Sequence, residues 1–66
     1  MKLTVNGEAM DLPGQPSLAD LCRTLGADPA RTAVTVNDAV VPRTGHEACR
    51  LHEGDRIEVL TLVAGG

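Results

Sequence analysis

The residues of this chain with chemistry to offer stand at its end, Val63-Ala64-Gly65-Gly66. Two glycines add little to a fold, because they carry no side chain and cost the most backbone entropy to order. Read as a free C-terminus, they put the Gly66 carboxylate on a thin, flexible arm of Ala64, Gly65 and Gly66. Without Cβ atoms, the last two residues can thread a narrow channel into another protein's active site. A frayed end is the plainer reading of any short terminal segment. The weight of the signal therefore depends on what precedes the glycines.

The other reactive side chains form no catalytic set. Cys22 and Cys49 are the two cysteines, too few for a secreted disulfide scaffold and without C-x-x-C spacing. Zinc takes about four N or S ligands. His46, Cys49 and His52 offer three side chains, without the paired spacing of a metal loop. No metal and no cofactor are expected. There is no Ser/His/Asp set and no phosphate-cradling glycine loop. His46 and His52 fall in a segment read as loop, where solvated histidines are expected rather than an acid–base pair.

Sixty-six residues make one domain, and 42% hydrophobic with 23% charged is a globular balance. With no Phe, Trp or Tyr, the core must be aliphatic. The net charge of −3 and the missing aromatics count against a nucleic-acid partner. No apolar run approaches the roughly 18–20 residues of a membrane span, and no signal-peptide pattern is present. A soluble cytoplasmic protein is expected.

The elements that must position the tail follow from local patterns. Lys2 to Asn6 alternates, with Leu3 and Val5 on one face. Asn6-Gly7 is a strong hairpin signal, because both residues tolerate the positive φ of a type I′ turn. Glu8 to Leu12 returns, with Met10 and Leu12 sharing a face, and Pro13-Gly14 turns. Ser17 opens a helix to Leu25, with Asp20 completing a capping-box pattern. Leu18, Leu21, Cys22 and Leu25 form its apolar face, and Gly26 stops it. Cys22 therefore reads as a small core hydrophobe rather than a nucleophile. Ala33 to Val36 is a strand, Asn37-Asp38 a turn, and Ala39 to Val41 a short return before Pro42, which suits an edge. Thr44 to His52 reads as loop with a short helical turn. Arg56 to Val63 is the last strand, with Ile57, Val59, Thr61 and Val63 on one face and Glu58, Leu60 and Leu62 on the other.

The order β-β-α-β-β-β makes a two-layer α+β domain. The expected architecture is a mixed sheet of four or five strands with one main helix on one face, as residues 1–63, followed by a tail of residues 64–66. Leu3, Val5, Leu18, Leu21, Leu25, Val34, Val36, Ile57 and Val59 are expected to be buried. A single helix leaves the other sheet face wet, so Leu60 and Leu62 would form an exposed apolar patch running into the tail. Glu58, Leu60, Leu62 and Val63 are the expected partner-binding residues.

The chain resembles the β-grasp (ubiquitin-like) sulfur carrier proteins, and among them the thiamin-pathway branch. The resemblance spans the whole chain. It rests on Leu3-Thr4-Val5-Asn6-Gly7-Glu8, Leu18-Ala19-Asp20-Leu21-Cys22 and Val36-Asn37-Asp38-Ala39-Val40-Val41-Pro42-Arg43. Gly54-Asp55-Arg56-Ile57-Glu58-Val59 and the closing Val63-Ala64-Gly65-Gly66 complete it. It implies that an ATP-dependent adenylating enzyme of the ubiquitin-activating type adenylates the Gly66 carboxylate. Sulfur from a cysteine desulfurase or a related donor then displaces AMP, leaving a thiocarboxylate that serves thiazole synthase. Such a carrier is a co-substrate, not an enzyme. Other acceptors stay open: molybdopterin, tRNA, cysteine or methionine synthesis, and secondary metabolites. A ubiquitin-like protein modifier and a plain β-grasp binding module also remain. Arg43 reads as pairing with a partner's acid or covering the sheet edge, and Asp55 as turn chemistry.

Overall fold

Two asparagine-led turns shape the sheet. In the computed structural model, which describes residues 1–62, β1 (Lys2–Val5) turns back into β2 (Glu8–Asp11) through Asn6 at φ 51° and Gly7 at φ 81°. Positive φ at both central residues matches the right-handed twist of the flanking strands, as the Asn-Gly pair predicts. The same device recurs between β3 (Thr32–Val36) and β4 (Ala39–Val41), where Asn37 and Asp38 sit at φ 51° and 71°. The last strand, β5 (Arg56–Thr61), lies between the two hairpins, and the sheet order is β2-β1-β5-β3-β4. β5 runs parallel to β1 and antiparallel to β3. This is the five-stranded mixed sheet with one α-helix expected of a β-grasp domain, and Pro42 follows an edge strand as anticipated.

Helix α1 (Leu18–Leu25) carries the expected capping box. The Ser17 hydroxyl accepts from the Asp20 amide at 3.1 Å, and the Asp20 carboxylate accepts from the Ser17 amide at 3.0 Å. Gly26 closes the helix at φ 71°. The first helical amides find their remaining acceptors in the segment read as loop. Leu18 N–H donates to the Cys49 carbonyl at 2.8 Å and Ala19 N–H to the His46 carbonyl at 3.1 Å. Leu51 N–H donates to the Pro16 carbonyl at 3.1 Å, so residues 49–51 lie beside the helix entry. A helix start leaves amides without internal partners, and this segment satisfies them.

The core is aliphatic, as the composition requires. Leu3, Val5, Leu12, Leu18, Leu21, Cys22, Val34, Leu51 and Ile57 form one buried cluster. Val36 and Val59 are only partly buried, and Leu25, expected inside, is 41% exposed. Its helical phase is correct, but it stands over the turn end of the β1–β2 hairpin in an open groove with Val5, Glu8 and Met10. Leu51 and Leu12 enter the core instead. The last strand ends at Thr61 rather than Val63, and the return strand at Asp11 rather than Leu12. Val63, Ala64, Gly65 and Gly66 lie outside the described residues.

Candidate functional site

The sheet face away from α1 is built by register. Cross-strand partners share a face, so Leu60 stands beside Ala33, Glu58 beside Thr35, Thr35 beside Val40, and Arg56 beside Thr4. The helix covers only the opposite side, where Ile57 and Val34 are buried. Val40 is 74% exposed, Leu60 63% and Leu62 52%. Small side chains, Ala33 and Thr35, fill the space between Val40 and Leu60. The expected patch at Leu60 and Leu62 is present and exposed, and Glu58 is exposed on the same face. Val40 was missed as its third apolar member. The signal was available, since a three-residue edge strand paired with β3 puts its middle residue opposite Thr35.

Beside the patch, Arg56 pairs with Asp38 across the top of the β3–β4 turn. The hydrogen bond that the Arg56 guanidinium donates to Asp38, with the charges of Asp38 and Glu58, raises the Arg56 pKa above its ordinary value. The guanidinium is thus a fixed cation flanking Glu58.

β5 is gripped at two points by turn asparagines. Asn6 passes its backbone N–H to the Ile57 carbonyl at 2.9 Å, and its side chain then continues the parallel ladder. The Asn6 carboxamide oxygen accepts from Val59 N–H at 2.8 Å, and its NH2 donates to the Val59 carbonyl at 3.3 Å. Asn37 grips the start of the strand, accepting from Arg56 N–H at 2.9 Å and donating to the Asp55 carboxylate at 3.0 Å. Asp55 also accepts from His52 N–H at 2.8 Å, so the turn chemistry expected of it is present and extends to the Asn37 turn. Past the strand, Leu62 N–H donates to the Arg31 carbonyl at 2.6 Å. Val63, Ala64, Gly65 and Gly66, the remaining expected site residues, lie outside the described residues.

The cysteines and histidines do not converge on this face. Cys22 is buried, and burial pushes its thiol pKa up, away from nucleophilic thiolate. Cys49 is half-buried. His46, expected in solvent, is instead buried at 4% exposure, with Nε2 3.1 Å from the Val41 carbonyl. Its backbone carbonyl receives the Ala19 amide, and its ring reaches the β4 carbonyl. His52 is exposed as expected. Arg43 opens a short 3-10 turn and lines a shallow recess with Cys22 and His46, on the helix side rather than the open face. Among the described residues no three Cys, His, Asp or Glu side chains group as a metal site, and no helix is long and apolar enough to cross a membrane.

The ThiS family model matches residues 3–66, nearly the whole chain and all of the segment that contains the patch and both glycines. The chain belongs to the ThiS family. A crystal structure of the thiamine biosynthesis protein ThiS from Geobacter metallireducens superposes with a TM-score of 0.84 at 30% identity, covering 100% of both chains. Membership and this likeness agree with the β-grasp architecture. Among curated relatives, a thiazole synthase from Magnetococcus marinus is 39% identical over 66 residues. One from Paramagnetospirillum magneticum is 30% identical over the same length. The chain spans 20% of the length of each of these thiazole synthases. The uncharacterized protein ycf40 of Pyropia yezoensis is 33% identical, and the chain covers 93% of it.

Proposed function

We propose that this chain is a cytoplasmic sulfur carrier of thiamin biosynthesis whose reactive group is the Gly66 carboxylate. Membership of the ThiS family through to the final glycine is the observation that carries the reading. A carboxylate is a poor electrophile. Attack of a Gly66 oxygen on the α-phosphorus of ATP, held by an adenylating enzyme, releases pyrophosphate and leaves an acyl adenylate. A sulfur nucleophile drawn from a cysteine desulfurase or related donor adds to the acyl carbon and expels AMP. Where that sulfur arrives as the outer atom of a persulfide, a second thiol attacks the donor's sulfur in the resulting acyl disulfide, forming a disulfide with the donor and releasing the thiocarboxylate, which passes its sulfur to thiazole synthase. The thiazole synthase relatives support that acceptor, because a segment like this one occupies part of their length. The carrier acts as co-substrate, and its own residues bind and orient.

Glu58, Leu60, Leu62 and Val63 form the docking surface, joined by Val40. A partner that covers the apolar strip beside the strand end holds the arm near its own reaction centre and makes the attack effectively intramolecular. Glu58 offers a negative charge to partner lysines or arginines and steers the approach.

The test is intact mass after incubation with ATP, the adenylating enzyme and a sulfur donor. One oxygen-to-sulfur exchange on the carrier is expected. A mass increase by a whole protein would identify a modifier instead, and an unchanged mass in the presence of active enzyme would refute the reading.

A further inference from the structure

The two outer strands of the sheet, β4 and β2, are not equivalent. β4 is three residues long and is followed by Pro42, which has no N–H to offer a neighbour. β2 has four residues and carries neither proline nor lysine, the usual devices that blunt an edge. Its hydrogen-bond phase is set by Leu12 N–H, which donates to the Met1 carbonyl at 2.9 Å. Bonded and non-bonded pairs alternate along an antiparallel ladder. The bonded pairs are therefore Met1 with Leu12, Leu3 with Met10 and Val5 with Glu8. Ala9 and Asp11, opposite Thr4 and Lys2, turn their backbone N–H and C=O groups outward, where they have no partner among the described residues. A groove runs beside this edge on the helix side. Glu8 and Met10 alternate onto that face, and Leu25, 41% exposed, forms the facing wall. The groove holds about 350 Å³, ample for one large side chain, since about 150 Å³ suffices for benzene. Glu8 is the one charged residue that lines it. Leu25 is the last residue of α1, so the negative end of the helix stands over the same groove.

We infer that the β2 edge and this groove form a docking site for an extended segment of another protein, one with a large apolar residue followed two positions later by lysine or arginine. An antiparallel strand laid along β2 takes up the outward groups of Ala9 and Asp11 in main-chain hydrogen bonds. Cross-strand neighbours share a face, so its residue opposite Met10 enters the groove and meets Leu25. Its residue opposite Glu8 comes two positions later on the same face, where Glu8 and the helix end both favour a cation. A second copy of this chain does not supply that cation. Its own β2 carries Glu8 and Asp11 with no basic residue, and each copy has a net charge of −3. The site is two strands away from β5 and opens on the helix side, so it is separate from the face that bears Leu60. It requires nothing of the Gly66 chemistry.

NMR titration of the whole chain with the synthetic peptide acetyl-Thr-Val-Arg-Leu-Thr-Lys-Val-Thr-amide tests this. The peptide sets leucine opposite Met10 and lysine opposite Glu8. Saturable binding with a Kd of about 10–300 µM is expected for so short a strand. The Ala9 and Asp11 amides should gain protection from exchange and the Met10 and Leu25 methyls should shift, while Leu60 and Leu62 stay unchanged. Ala9→Pro removes one outward donor without taking a bond from the β1–β2 ladder, and should weaken binding at least about tenfold. The decisive readout is charge exchange, which a folding defect does not imitate. Glu8→Lys should weaken the peptide about three- to fivefold, and a peptide with glutamate in place of its lysine should bind Glu8→Lys more tightly than it binds the wild type. The site is refuted by the lack of a saturable shift at about 1 mM peptide, or by shifts centred on the Leu60 face. Unchanged binding in a folded Ala9→Pro variant refutes it as well, and so does the absence of charge exchange. Protection of the Ala9 and Asp11 amides that grows with protein concentration in the absence of peptide would identify a second copy as the occupant and overturn the assignment.

Discussion

Asn6 can be changed in a way that separates its turn geometry from its grip on the last strand. Its carboxamide makes two bonds to Val59, at 2.8 and 3.3 Å, where β1 itself has already turned away. Asn6→Gly keeps the positive φ of 51° and creates Gly-Gly, another good type I′ pair, so the hairpin survives. Only the two side-chain bonds are lost. Each is worth about 0.5–1.5 kcal/mol net, and the longer one falls at the low end, giving about 1–2 kcal/mol together. Glycine's easier positive φ and its greater unfolded-state freedom oppose each other, each at about 1 kcal/mol or less. Asn6→Ala should cost about 1 kcal/mol more than Asn6→Gly, because alanine lacks the local bonding that lets asparagine occupy the left-handed region. Urea denaturation at constant m-value measures both, and amide exchange at Val59 should accelerate in each. If Asn6→Gly stays within the about 0.5 kcal/mol of an ordinary surface change, Asn6 is a turn residue only and does not hold β5.

Leu60→Asp, Leu62→Asp and Val40→Asp should fold normally yet weaken pull-down by the adenylating enzyme and by thiazole synthase. Wild-type retention in all three would move recognition off this face. Deletion of Gly66 should abolish thiocarboxylate formation by intact mass while pull-down persists. Cys22→Ala with Cys49→Ala should still charge, and the Cys22 change should cost about 1–2 kcal/mol by calorimetry through lost core volume. Loss of charging in a folded double variant would mean that a thiol takes part. Asp20 should govern part of the acid limb of stability. Its folded pKa lies below the ordinary carboxylate value of 3.8, chiefly through the Ser17 backbone and side-chain hydrogen bonds. The stability it adds is therefore complete above 3.8 and lost as pH falls through the folded value. Asp20→Asn should flatten that limb in a pH series of thermal melts, and an unchanged slope would contradict the assignment.

The parts of the fold that were legible are those in which one short pattern has one physical solution. Asn6-Gly7, Asn37-Asp38, the Ser17–Asp20 cap and Gly26 each specify their backbone locally, and each has the predicted geometry. The alternation through β5 put Leu60 on the wet face for the same reason, since a period of two leaves no other choice once Ile57 is inside. What escaped was set by contacts distant in sequence. Nothing periodic marks Thr44 to His52, yet its carbonyls satisfy the first amides of α1, and the same segment carries the buried His46 ring and Leu51. Leu25 failed in the opposite sense: its helical phase was right, but the layer beneath it had ended. The candidate site divides along the same line. Its apolar members follow from alternation and register. The two asparagines and the Arg31 carbonyl that fix β5 act across the sheet, and no local window of the sequence contains both ends of those bonds. The chemistry proposed for the carrier was read from the terminal Gly-Gly alone, whereas the course of the strand that leads toward it depends on pairings between the chain's first, middle and last segments.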